Sequence, residues 1–173
     1  LDPELVDPFC SLYSADDMVP AKLPRGAALL LGAPHTRIDR LARTLNETDG
    51  VQFDGDLLHP QGMQLAERLL SRNAARTLHA LRAKDAAWFA RMMLSRSHDA
   101  LGRDLTALRV RGFTMAAAHN ASALDWALAD PALRIVHVVR SNLLAEFADL
   151  LDAQQASTGQ PLPFEPERFG RFI

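Results

Sequence analysis

The chain has 173 residues, of which 48% are hydrophobic and 23% are charged, and its formal net charge is −2. These proportions are typical of one globular domain with a sizeable core, and they argue against a disordered chain. The weak charge gives no general attraction to nucleic acid. No apolar run approaches the roughly 20 residues of a membrane span. The single Cys10 cannot form an internal disulfide, which favours a cytoplasmic location.

The two ends of the chain differ in pattern from its centre. Residues 1–26 contain several prolines and no sustained hydrophobic period, so they are predicted to form an irregular lead-in to a domain at residues 27–173. The sequence starts at Leu1 and stops at Ile173, just after an apparent helix start. Truncation of the domain at its C-terminus therefore stays open.

Strands and helices are predicted to alternate along residues 27–173. Short apolar or β-branched runs that end at Gly or Pro predict strands, and apolar residues at helical spacing predict the helices between them. The predicted strands cover residues 27–31, 51–53, 109–115 and 135–139. The predicted helices cover residues 37–46, 63–82, 85–96 and 143–155, with one more that is capped by Asn120 or Ser122 and runs to Asp130.

This alternation predicts a three-layer α/β fold, in which a mostly parallel sheet is flanked by helices. Ligands of such folds bind beyond the carboxyl ends of the strands. The loops at residues 35–39, 55–59, 115–119 and 140–142 are therefore the candidate site. The six histidines lack a paired metal-ligand spacing, so no metal site is predicted.

Three framework stretches carry a resemblance to a known family. Residues 134–155 read RIVHVVRSNLLAEFADLLDAQQ, residues 41–46 read LARTLN, and residues 55–60 read GDLLHP. Together they resemble the bacterial carbohydrate sulfotransferases of the nodulation and trehalose type, which use the sulfate donor PAPS (3'-phosphoadenosine 5'-phosphosulfate). The resemblance spans about residues 29–172 and implies a P-loop sulfotransferase-like fold.

The loop after the first strand matches the family only in part. The family has a loop resembling P-R-S-G-T-T, whose amides and hydroxyls hold the 5'-phosphosulfate, and the resemblance assigns Pro34, His35, Thr36 and Arg37 to it. Pro34 matches and Thr36 supplies a hydroxyl, whereas His35 stands for Arg and Arg37 for Gly. Gly lets the backbone approach a phosphate closely, so Arg37 is expected to obstruct the usual donor pose. Asp39 would also repel the donor anion, because two like charges ~4 Å apart repel by about 4 kcal/mol at an effective dielectric constant of ~20.

Two other interpretations of this loop stay open. In the first, Arg37 and Asp39 are solvated residues of the first helical turn, where the charge of Asp39 is favourable near the helix N-terminus. Alternatively, His35, Arg37 and Arg40 form a rebuilt anion site.

The strand-to-helix corner at residues 139–145 departs from the family at the donor contacts. The family pattern resembles V-R-R-N-L-L-A-x-x-V-S, and its second Arg and later Ser bind the 3'-phosphate of the donor. Ser141 stands for that Arg and Asp149 for that Ser. The change of Arg to Ser forfeits a charge-assisted contact to phosphate. Arg140 either compensates for it or pairs with a nearby carboxylate.

Two residues are candidates for catalysis. The resemblance makes Asp56 the counterpart of the family's Glu, a general base that takes the proton of the acceptor hydroxyl. The alternative for Asp56 is a turn-capping residue before Pro60. His119 lies near the place of the family's histidines, although a lone histidine is more often a surface or helix-start residue. Thr114 stands where the family has a Lys.

The sequence therefore predicts a sulfotransferase-like domain that has lost ordinary PAPS-dependent transfer and serves as a binding or interaction module for a protein partner. The alternative is an active enzyme that binds PAPS or its product PAP in a rearranged loop and sulfates a carbohydrate or lipid-linked hydroxyl. A third interpretation is that a different anion occupies the loop. A homodimer stays open, and neither a nucleic acid partner nor a membrane span is expected.

Overall fold

The computed structural model describes residues 22–33, 36–60, 62–63, 72–99, 103–159 and 166–167. The strands are β1 (Ala27–Gly32), β2 (Val51–Asp56), β3 (Val110–Ala116) and β4 (Arg134–Val138). The helices are α1 (Ile38–Leu45), α2 (Arg72–Lys84), α3 (Ala86–Ser95), α4 (Ala121–Ala129) and α5 (Leu143–Thr158). Most of the predicted lead-in, residues 1–21, lies outside the described residues.

The four strands form one parallel sheet with helices on both faces. The strand order is β2-β3-β1-β4, and each of the three neighbouring pairs is parallel. β1 therefore lies inside the sheet, and every connection between consecutive strands passes through at least one helix, as parallel pairing requires. The predicted three-layer α/β class is confirmed.

β1 is buried on both faces because its side chains alternate between two cores. Ala27 and Leu29 face the larger core, which α2, α3 and α4 cover. Ala28 and Leu30 face a smaller core with Phe53 of β2 and Ala42 of α1. An unbroken apolar run is the pattern expected of such a strand.

The helix boundaries agree with the predicted ones within two residues, apart from the start of α2 and the end of α5. The described part of α2 starts at Arg72, since most of the preceding predicted helix lies outside the described residues. Asn120, not Ser122, caps α4, because its side-chain oxygen accepts from the Ala123 amide at 2.9 Å. α5 continues to Thr158 and ends at Gly159, whose φ of 68° closes the helix. Within the described residues, no helix has the length and apolarity to cross a membrane.

Two buried arginines, Arg96 and Arg111, hold the C-terminal end of α3 against the sheet. Arg111 of β3 donates to the carbonyl oxygens of Met93 and Arg96, which a helix end leaves without intrahelical partners. The Arg96 side chain is fully buried, and its Nη2 lies 3.5 Å from a carboxylate oxygen of Asp54 in β2. These contacts join the end of α3 to β2 and β3.

Candidate functional site

The loops that follow β1, β2 and β3 enclose a cavity of about 510 Å³ at the carboxyl end of the sheet. Its lining includes eight polar residues, namely Thr36, Arg37, Asp39, Asp56, His59, Thr114, His119 and Asp149. Most of the sequence-predicted site residues therefore meet in one place. Pro34 and His35 lie outside the described residues, and Ser141 is exposed without lining the cavity.

Asp56 and His119 form a hydrogen-bonded pair in the cavity. Asp56 is the last residue of β2 and is only 7% exposed. One of its carboxylate oxygens accepts from the Leu58 amide at 3.0 Å, and the other lies 2.6 Å from Nδ1 of His119. An ionised carboxylate only accepts, so the hydrogen of the bond belongs to Nδ1. This arrangement leaves Nε2 as the basic nitrogen of the ring.

Asp56 thus has the turn-capping contact that was its alternative role, while its role as a general base stays a prediction. It closes a turn through the Leu58 amide, and it also orients a histidine from the loop after β3. An imidazole held by a carboxylate through one nitrogen is suited to accept a proton at the other. The pair can therefore serve as a base toward a hydroxyl group in the cavity.

His59 and Arg82 support this pair. The His59 ring packs edge-on against the His119 ring, with centroids 4.9 Å apart. Arg82 of α2 donates to the His59 carbonyl oxygen at 2.8 Å and so ties the loop after β2 to the helix layer. His59 lies in the predicted site loop at residues 55–59, whereas no site role was predicted for Arg82. The signal for His59 was present in the GDLLHP stretch at residues 55–60.

Arg37, Asp149 and Arg140 form a second polar cluster, which we call the arginine clamp. Arg37 donates to both oxygens of Asp149, at 3.0 Å from Nε and 2.8 Å from Nη2. Arg140 donates to one of the same oxygens through Nη1. These bonds lower the pKa of Asp149 well below its usual range, and Asp149 in turn raises the pKa of Arg37. Arg37 and Asp149 are therefore both charged at neutral pH.

Arg37 holds an unusual backbone conformation at the start of α1. Its φ of 59° and ψ of 33° lie in the left-handed region, and it is the one described non-glycine residue with positive φ. Gly adopts this region without strain, whereas a residue with a Cβ does not. The loop thus keeps a conformation that favours Gly although the sequence supplies Arg, whose side chain is bound by Asp149.

Replacing Arg37 by Gly and by Ala should separate the backbone strain from the ion pair. Both variants lose the guanidinium group, but only Gly is relaxed at this φ. We expect the Gly variant to melt roughly 2–4 °C above the Ala variant, as measured by thermal unfolding under identical conditions. Equal melting temperatures would show that the loop relaxes and stores no strain.

The remaining predicted residues lie around the cavity with separate partners. The Thr36 hydroxyl donates to the Ala33 carbonyl oxygen at 2.7 Å and closes the loop after β1. Asp39 pairs with Arg43 at 2.6 Å on the exposed side of α1, one turn further on. Thr114 is buried in β3 and contributes no charge.

The cavity offers few groups for a cofactor. Among the described residues, no cluster of three or more His, Cys, Asp or Glu side chains is arranged to hold a metal ion. Arg37 is the one Arg or Lys among the described residues that line the cavity, and its guanidinium group is bound by Asp149. An anionic cofactor would therefore meet a carboxylate between the two arginines of the clamp.

Comparison with protein-family models, with curated proteins and with solved structures returned no match. The resemblance to the sulfotransferases therefore depends on the motif residues quoted above.

Proposed function

We propose that this chain is a sulfotransferase-like domain that has lost ordinary PAPS-dependent transfer and acts as a binding module for a partner molecule. The observation that carries the proposal is the position of Asp149. It stands where the family has a phosphate-binding Ser, and its carboxylate accepts from Arg37 and Arg140. A side chain that binds phosphate in the family is thus replaced here by a carboxylate, which repels phosphate.

Electrostatics support this proposal. A phosphate about 4 Å from the Asp149 carboxylate would be repelled by about 4 kcal/mol at an effective dielectric constant of ~20, before solvent screening. The family's cationic contacts are reduced as well, since Ser141 and Thr114 stand where it has Arg and Lys. The cavity of about 510 Å³ lies within the usual size range of ligand-binding pockets, about 300–1,000 Å³.

Calorimetric titration with PAP, the desulfonated donor, tests the proposal. We expect no heat of binding at micromolar PAP, because the donor phosphates meet Asp149 and lack their usual cations. A control titration with a variant that carries Asp149→Ser and Ser141→Arg restores the two family residues and should increase the affinity. Micromolar binding of PAP to the unaltered chain would contradict the proposal.

The Asp56–His119 pair favours a second candidate function, sulfo transfer to the hydroxyl of a carbohydrate or lipid-linked acceptor. In that reaction the acceptor oxygen attacks the sulfur of PAPS, the bond between sulfur and the phosphate oxygen breaks, and Nε2 of His119 or Asp56 takes the hydroxyl proton. An unchanged rate of PAPS consumption in both His119→Gln and Asp56→Asn would exclude the pair as the base. The first proposal, the binding module, includes a cytoplasmic location and a protein partner.

A further inference from the structure

We propose that a second cavity, at the junction of α2, α3 and α4, binds a small organic monocarboxylate with an apolar body. The cavity has a volume of about 520 Å³, which also lies within the usual size range of ligand-binding pockets. We call it the junction cavity. The inference goes beyond the proposed function, since it concerns a different cavity and holds whether or not PAP binds to the first one.

The junction cavity adjoins the first cavity at His119, which lines both of them. Its walls come from three places in the chain, namely the loop after β2, the turn from α2 to α3, and the start of α4. Leu58 and Pro60 of the loop and Ala86 of α3 supply apolar surface. The apolar body of a ligand can therefore contact this surface while its polar end meets the charged groups of the helix junction.

The described residues that line the junction cavity carry a net positive charge. Arg82 and Lys84 belong to the last turn of α2, and Asp85 is the one acidic residue of this lining. With histidine counted as neutral, two cations and one carboxylate sum to one positive charge. The described lining of the first cavity has one arginine and three aspartates, which sum to two negative charges. An anion therefore meets a more favourable potential in the junction cavity, and a single negative charge balances its lining.

No acidic group in the described part of the chain neutralises the two cations. The Arg82 guanidinium group donates to the carbonyl oxygens of Leu57 and His59. Its other contact is with Nδ1 of His79 at 3.3 Å. Lys84 is exposed and forms no ion pair within the described residues. Both positive charges are thus available to a ligand.

The polar groups at the starts of α3 and α4 leave hydrogen-bond donors for a carboxylate. Asn120 caps α4, and its side-chain oxygen accepts from the Ser122 hydroxyl and the Ala123 amide, both at 2.9 Å. The Asn120 oxygen is thus occupied, which leaves its NH2 group as the donor. The Asp85 carboxylate accepts from the Trp88 amide at 2.9 Å and caps α3. A ligand carboxylate only accepts hydrogen bonds, and cationic donors give it the stronger ones.

Titration of the full chain with benzoate, followed by nuclear magnetic resonance, tests the inference. We expect millimolar or tighter binding, at least about tenfold stronger than for benzamide, the neutral molecule of the same shape. Asn120→Asp keeps a residue that caps α4 well and adds a negative charge to the cavity, so it should weaken benzoate binding at least about tenfold. Lys84→Gln should weaken it about threefold, because Lys84 is exposed. Lys22→Gln, an equal change of net charge at an exposed position outside the cavity, should leave the affinity unchanged.

Equal affinity for benzoate and benzamide would overturn the inference, as would unchanged benzoate binding in Asn120→Asp or no binding to the unaltered chain at millimolar benzoate. Circular dichroism checks that each variant is folded, and Ser122→Asp takes the place of Asn120→Asp if the latter is not. Arg37→Gly removes the arginine of the first cavity and should leave the affinity unchanged. A loss in Arg37→Gly as large as that in Asn120→Asp would assign benzoate to the first cavity and contradict the inference. The outcome is separate from that for the proposed function, which is tested by PAP in the first cavity.

Discussion

Arg96→Met is expected to lower the free energy of unfolding by about 3–5 kcal/mol, the usual effect of removing one partner of a buried ion pair. The Arg96 side chain is fully buried, and the carboxylate of Asp54 beside it is only 5% exposed. Met replaces the aliphatic part of the side chain but leaves Asp54 without this cation. Urea denaturation followed by circular dichroism measures the loss.

A second variant separates the charge from the packing. Adding Asp54→Leu to Arg96→Met should recover a large part of the stability, because a buried ion pair can often be replaced by apolar side chains at little cost. The effects of the two substitutions would then be less than additive. Strictly additive losses would show that Arg96 acts through the bond that its Nη1 donates to the Met93 carbonyl oxygen and not through Asp54.

Gly112→Ala is expected to destabilise the protein by about 3 kcal/mol, because the space for a side chain is already filled. A Cβ at this position would lie 2.2 Å from Cε1 of Phe53 and 2.5 Å from the carbonyl oxygen of Ala28. The Phe53 ring can turn away, but the Ala28 oxygen belongs to the neighbouring strand. The clash therefore acts on the spacing of β1 and β3, at whose carboxyl ends the cavity lies.

Two comparisons identify the cause of that loss. Gly159→Ala adds a Cβ that meets nothing within 4 Å, so it should cost only the strain of its positive φ, about 1–2 kcal/mol. Phe53→Leu combined with Gly112→Ala should recover part of the stability but not all of it, since the contact with the Ala28 oxygen is unaffected. Full recovery in urea denaturation would contradict a clash between the strands.

The fold class could be predicted from local patterns, whereas the order of the strands could not. The apolar run at residues 27–31 identifies a strand buried on both faces, and the stripes at helical spacing identify the helices between the strands. Strand order depends on pairings between residues far apart in the chain, such as Leu29 with Phe113. No local signal in this sequence specifies those pairings.

The candidate site could be predicted loop by loop, but its internal contacts could not. Asp56 and His119 each follow a strand, which indicated that both lie at one edge of the sheet. Their bond joins residues 63 positions apart, so no local pattern indicated it. Arg37 and Asp149 are 112 positions apart, and no local pattern indicated their ion pair either.

Arg37 also shows why a substitution alone does not report the shape of a loop. Replacement of the family's Gly by Arg predicted that Arg37 obstructs the usual donor pose unless the loop is rearranged. The backbone at Arg37 nevertheless has the left-handed conformation that Gly favours. Because residue identity reports conformational preference and not the conformation adopted, tertiary contacts such as the bond to Asp149 were needed to describe this loop.

Asp149 remains ionised in mildly acid solution, since its pKa in the folded chain is well below that of an ordinary carboxyl group. A carboxyl group with a lowered pKa contributes stability above its unfolded pKa, near 4, and loses that contribution only as the pH falls further. Acidification within the physiological range therefore leaves the contacts of Arg37 and Arg140 intact. Dissolved salt acts differently, because mobile ions screen charges that reach solvent. Salt concentration, and not acidity, is thus the solution condition to which this corner of the protein responds.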